Sequence, residues 1–147
     1  MPIRFLYCTA VAFAVTALII TVPTSINAYV TSGLPPHIHR AFLRKLTDDI
    51  CNQRPIGSLS PEEMSTCPML MSAWASAPEK LILSSGNGRE RALAVEGLLK
   101  RMIDERRAGN TEAIAVTEDY NVVMKAWSLS GEGSKAAMRV EQVSSWR

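Results

Sequence analysis

Apolar residues in the second half of the chain recur at helical intervals. In RALAVEGLLKRMIDERRAGN, Ala92, Val95, Leu98, Leu99, Met102 and Ile103 fall on one face of an α-helix. Arg106 and Arg107 stand at its carbonyl end just before Gly109, so the segment carries its own stop signal. Met71 and Trp74, continuing to Ala77 or Pro78, mark a second stripe. Tyr120, Val123, Met124 and Trp127 mark a third, ended by Gly131-Glu132-Gly133. A fourth carries Ala137, Val140 and Val143, with Ser134 as its candidate cap.

The punctuation between these stripes is equally readable. Ser60-Pro61-Glu62-Glu63 is a capping box with Pro at the first helical position, so a helix begins there. Pro68 removes an intrahelical bond, and a short helix is expected to yield near Thr66 to a second one. LILSSGNGRE, with Gly86 and Gly88, reads as a loop, and TEAIAVTED as a connector. No alternating apolar strand interrupts residues 60–147, so the expectation is an all-α body of helical hairpins.

Two of the stripes echo one another. MSAWASA (71–77) and MKAWSLS (124–130) both contain Met-x-Ala-Trp, at an offset of 53 residues. The helices after them align when Ala92, Val95 and Glu96 are set over Ala137, Val140 and Glu141, an offset of 45. The difference falls in the loop within each hairpin, where insertions cost little. The unit is helix, glycine-containing turn, helix, connector; such hairpins bury a face by stacking on a neighbour. Trp74 and Trp127 each lie in an apolar stripe and are expected to be core residues rather than stacking platforms.

The N-terminus reads as an address. Arg4 precedes the 18-residue apolar run Phe5–Val22, which leads to Ile26-Asn27-Ala28, a loose form of a signal-peptidase site. A cleaved signal over residues 1–28 is the reading adopted; the alternative is an anchor through residues 5–22, slightly short of the ~20 needed to span hydrocarbon. YVTSGLPPHIHRAFLRKLT, from Tyr29, holds basic and hydroxyl groups but no acid before Asp48. That composition fits an organellar transit stretch. Ile38, Ala41, Phe42, Leu46 and Ile50 also fall at helical spacing, so residues 29–59 read either as a transit segment or as a first amphipathic helix. A signal followed by a transit-like stretch, with the aromatic Tyr29 after the cut, resembles the two-part presequence of proteins sent to the complex plastids of algae such as diatoms. That resemblance implies a plastid, with a mitochondrion as the alternative organelle and the secretory pathway as the alternative to both.

Charge changes the picture by its distribution. The net charge of +2 arises because residues 1–47 hold four basic groups and no acid, leaving 12 basic and 14 acidic groups in residues 48–147. The body is slightly acidic and lacks the basic face that announces nucleic-acid binding. Lys100, Arg101, Arg106 and Arg107 are interleaved with Asp104 and Glu105, the pattern of a solvated helix face. Outside the address the cysteines are Cys51 and Cys67, expected as buried thiols, or as one disulfide if the protein is a small secreted helical one. His37 and His39 lack further ligands, so no metal site is expected. The glycine turns lack the phosphate-cradling Gly-Lys-Ser/Thr. No nucleophile elbow, zinc-protease helix or Cys-x-x-Cys occurs, and no catalytic residue or cofactor is assigned.

Tyr120 to Val143, YNVVMKAWSLSGEGSKAAMRVEQV, is similar to the pentatricopeptide repeat, in particular to the diatom and algal form. In that form Tyr-Asn opens the first helix, Ala-Trp lies in its middle, and a glycine turn leads into an Ala-rich second helix. MSAWASA with RALAVEGLLKRM resembles a more degenerate copy, so the likeness covers about residues 69–147. The resemblance implies an α-solenoid that reads single-stranded organellar RNA at about one base per hairpin. It implies Asn121, directly after Tyr120, as the base-reading residue, with Glu118 flanking the base. The repeat's further determinant would fall beyond Arg147, and the earlier unit has Pro68 where Asn121 stands. A scaffold that binds other helical-repeat proteins without RNA is the competing reading.

Overall fold

The computed structural model describes residues 36–76 and 87–147. Among them are five α-helices and no strand: α1 (Pro36–Asp48), α2 (Pro61–Ser76), α3 (Asn87–Arg107), α4 (Thr117–Ser128) and α5 (Ser134–Ser145). A π-helical turn, Asp49–Gln53, prolongs α1. No described helix is long and apolar enough to cross a membrane. The apolar run 5–22, the cut at Ala28 and the transit stretch up to residue 35 lie outside the described residues.

Packing follows chain order. α1 contacts α2 and α3, α2 contacts α3 and α4, α3 contacts α4, and α5 rests chiefly on α4. One core runs through all five, with Leu43, Leu70, Met71, Val95, Leu98, Leu99, Val123 and Val143 almost wholly enclosed. Full burial of a side chain of this size contributes ~1.5–3 kcal/mol.

α1 buries a broader face than the stripe expected of it, in which Phe42 and Ile50 are buried and Leu46 packs against the core. Leu43, Thr47 and Ile50 face the core with Phe42, whereas Ala41 is exposed. A threonine belongs on this inner face because its hydroxyl accepts the indole N–H of Trp74 at 2.9 Å. Ile38 has no described side chain.

α2 begins where the capping box places it: Ser60 N–H donates to Glu63 Oε2 at 2.9 Å, and Glu63 N–H to Ser60 Oγ at 3.3 Å. The helix then runs unbroken through Pro68, against the expected break near Thr66. Pro68 leaves the Met64 carbonyl without its helical donor, and one turn earlier the Ser65 and Thr66 hydroxyls donate to the Glu62 carbonyl at 2.7 and 2.9 Å. Cys67, Leu70, Met71 and Trp74 are buried around it, and their packing outweighs the ~3 kcal/mol cost of an interior proline.

α3 is the central element. Gly88, expected in a loop, lies inside its first turn. A Cβ there would come within 2.9 Å of the Ser130 carbonyl and 3.0 Å of that of Leu129, so the glycine permits close approach of the end of α4. The helix closes in a Schellman arrangement: Gly109, at φ 97°, donates to Arg106 O, and Asn110 N–H donates to Glu105 O.

α4 has its N-terminus fixed by Asp119, whose carboxylate accepts the Val116 N–H at 2.9 Å. α5 has Gly133 as its cap and no side-chain cap bond, so Ser134 does not act as one. Val143 is buried and Val140 half-buried against the core, as the expected stripe has them, whereas Ala136 takes the inner place expected of Ala137, which is exposed. Ala137 and the outer side of Val140 line an open groove beside the end of α4.

Candidate nucleic-acid interface

Asn121 and Glu118 lie three residues apart in the first turns of α4, on one side of the helix, and both are exposed. Asp119 and Tyr120 between them are buried and fix the turn from beneath. Burial raises the carboxyl pKa of Asp119; the Val116 N–H opposes that rise, and the nearby Glu118 charge adds to it. Thr117, at the head of the helix, accepts from the Arg147 guanidinium at 2.8 Å, tying the end of the chain to the same turn.

The exposed side continues along α4 through Lys125 and Ser128. Lys125 had no part in the expected site, although its position four residues after Asn121 was the available signal. Together the strip offers a carboxylate acceptor, an amide that both donates and accepts, and an ammonium donor. At the offset of 53 the corresponding positions of α2 are Ser65, Pro68, Ser72 and Ala75. Ser65, Ser72 and Ala75 are exposed as well, but Pro68 has no side-chain polar group and the Ser65 hydroxyl is engaged by its own helix. Only the α4 strip carries amide and charged groups.

Trp74 and Trp127 are each 3% exposed and form no stacking surface. Their indole N–H groups face backward along the chain: Trp74 donates to Thr47 on α1, and Trp127 to Glu96 Oε2 on α3 at 2.6 Å. The echoed tryptophans therefore repeat a contact as well as a motif. Arg139 supports the second one, donating to Glu96 Oε1 at 3.2 Å with its guanidinium 5.8 Å from the Trp127 ring centroid.

The basic group on α3 is not a uniform solvated face. Lys100, Arg106 and Arg107 are exposed, but Arg101 is 5% exposed. Its guanidinium donates to the carbonyls of Arg54 and Pro55 at 2.7 and 2.5 Å and pairs with the fully buried Glu105 at 2.8 Å. Glu105 also accepts from Gly57 N–H at 2.8 Å and from Asn110 Nδ2 at 3.1 Å, and Asn110 reaches the Leu59 carbonyl. The residues are spent on fastening the loop 54–59 to α3. The turn there needs carbonyl partners that no helix supplies, and a buried charge requires such pairing.

Cys51 is half-buried and Cys67 fully buried, and both are free thiols. Burial is the main cause that pushes their pKa values up, to about 11 and about 12. Among the described residues no group of three or more His, Cys, Asp or Glu side chains is arranged to hold a metal ion. The side chains of His37 and His39 are outside the described set.

Comparison of the chain with protein-family models, with curated proteins and with solved structures gave no match.

Proposed function

We propose that this protein is a helical-hairpin repeat protein of the pentatricopeptide kind that contacts single-stranded organellar RNA, in transcript processing, stability or translation. The observation that supports it is the joint exposure of Asn121 and Glu118 on α4, with Tyr120 and Trp127 of the same helix turned into the core. That division gives the Tyr-Asn…Ala-Trp pattern one inward and one outward role. The role is binding rather than catalysis, and it needs no cofactor. One base contact per hairpin is too little for stable attachment, so recognition involves further repeats or partner helical-repeat proteins.

Ultraviolet crosslinking of the tagged full chain in cells, followed by recovery of bound RNA, tests this reading. Enrichment of an organellar transcript that falls on Asn121→Ala supports it; no enrichment over an untagged control removes it. A plastid is the proposed compartment, a mitochondrion the alternative. A fluorescent fusion carrying residues 1–50 distinguishes them, and secretion of the reporter defeats both.

A second reading, a protein-interaction scaffold, is favoured by one observation. The α2 strip at Ser65, Pro68, Ser72 and Ala75 has no cation and no amide, and residues 48–147 are net acidic. Recovery of protein partners without RNA would select it.

A further inference from the structure

The seat that α3 provides for α4 is repeated on α5. On α3 it is built from Gly88, which admits the end of α4 against its backbone, and Glu96, which accepts the Trp127 indole N–H. Ala92 and Val95 lie between them on the same face and are fully buried. At the offset of 45 residues these four become Gly133, Ala137, Val140 and Glu141. All four line one open, largely apolar groove of about 700 Å³, whose far wall is Ser128 and Gly131 at the end of α4. Ala137 and Glu141 are exposed there, whereas Ala92 and Glu96 are covered. The two seats differ at their entrance, because Gly88 is inside α3 whereas Gly133, at φ 55°, caps α5.

We propose that this groove is a docking site for an amphipathic helix of a partner protein bearing a small residue followed by Trp, its indole N–H donating to Glu141. The occupant follows from continuity with the α3–α4 interface: the same residue types in the same order already hold the Ala126-Trp127 helix one hairpin earlier. Small side chains at positions 133 and 137 let a helix backbone come close, Val140 supplies apolar area, and Glu141 fixes register through one charged hydrogen bond. A second copy of this chain is a poor occupant. Its two Ala-Trp helices, at Trp74 and Trp127, are 3% exposed and already used inside the fold. The groove meets the α4 strip at Ser128 and includes none of Glu118, Asn121 and Lys125, so the proposal does not rest on RNA recognition there.

The probe is a fluorescein-labelled peptide of residues 116–130, with a lactam joining Lys125 to an aspartate introduced by Asn121→Asp, since an isolated helix of this length is marginal in water. Titrated with the full-length protein and read by anisotropy, it should bind saturably in the range of about 10–100 μM. Glu141→Ala in the protein, or Trp127→Ala in the peptide, should weaken binding about tenfold or more, the scale of one charge-assisted hydrogen bond. Ala137→Arg should abolish it. Both protein changes are at exposed positions, and an unchanged melting curve establishes that each variant is folded. No binding up to about 1 mM overturns the proposal. Binding that survives Ala137→Arg also overturns it, because the peptide is then exchanging with α4 or sitting elsewhere. Sedimentation that shows a dimer dissociated by Ala137→Arg would assign the groove to a second copy and overturn it too.

Discussion

The indole N–H of Trp127 on α4 donates to Glu96 on α3 at 2.6 Å, and both side chains are buried. The bond joins residues 31 apart in sequence and ties the hairpin α4–α5 to the helix before it. Trp127→Ala removes both the ring and the bond, and is expected to cost about 3–5 kcal/mol in a urea titration. Trp127→Phe keeps most of the ring volume but leaves Glu96 with Arg139 alone, which should cost about 1–3 kcal/mol. Equal midpoints for wild type and the Ala variant would contradict a shared core across the hairpins.

Arg101 and Glu105 form the most enclosed ion pair among the described residues, at 5% and 0% side-chain exposure. Removing one partner strands a buried charge, so Arg101→Met and Glu105→Gln should each destabilise by about 3–5 kcal/mol. The joint change Arg101→Met with Glu105→Gln should be less harmful than the sum of the single ones. The loop 54–59 should become susceptible to limited proteolysis in the single variants before the helices melt. A double-mutant cycle that proves additive would show that the two residues act separately.

The thiols give a pH dependence with a definite sign. Cys51 and Cys67 have folded pKa values raised from 9.0 to about 11 and about 12, so above pH 9 the unfolded chain loses protons that the folded one keeps. Their contribution to stability is fully present below pH 9 and is lost as pH rises through about 11 and 12. In that window each thiol lowers unfolding free energy by up to ~1.4 kcal/mol per pH unit. Cys67→Ala should flatten the alkaline limb of a stability–pH curve; an unaltered limb would point to other groups.

Isolated protein should bind RNA poorly. One base contact or stack contributes about 1–3 kcal/mol, against about 4–15 kcal/mol for association. The net charge of −2 over residues 48–147 releases few counterions from the strand. Anisotropy with labelled 10-nucleotide homopolymers at about 0.15 M salt should give dissociation constants above about 100 μM. A salt-resistant micromolar complex lost on Asn121→Ala would show that this hairpin reads RNA without its neighbours.

Features set by local chemistry are legible in the sequence itself. The start of α2 was written in Ser60 and Glu63, the buried face of α3 in its 3, 4, 7 spacing, and the burial of both echoed tryptophans in their stripes. Features set by distant neighbours are not. Pro68 was expected to break a helix that packing on both sides keeps whole. Gly88 has the sequence look of a turn residue, and only the backbone of Ser130 beside it reveals why it is small. Arg101 and Glu105, at helical i, i+4 spacing, read as a surface pair; the carbonyls that bury them belong to a loop 46 or more residues away. On the candidate interface Asn121 and Glu118 come from the family resemblance, and Lys125 joins their outer strip through its spacing of four residues from Asn121.

The helices are secured chiefly to their neighbours in order, and α5 rests on α4 alone among its substantial contacts. Such a body is stabilised in series about α3. Its amide protection against solvent exchange should be graded, highest on α3, which three helices enclose, and lowest on α5. Fraying then starts at α5 and releases Trp146 from the core and the Arg139 guanidinium from the Trp127 ring. A helix laid over Ala137 and Val140 would act as a clasp, raising protection along α5 first and passing the gain inward one helix at a time.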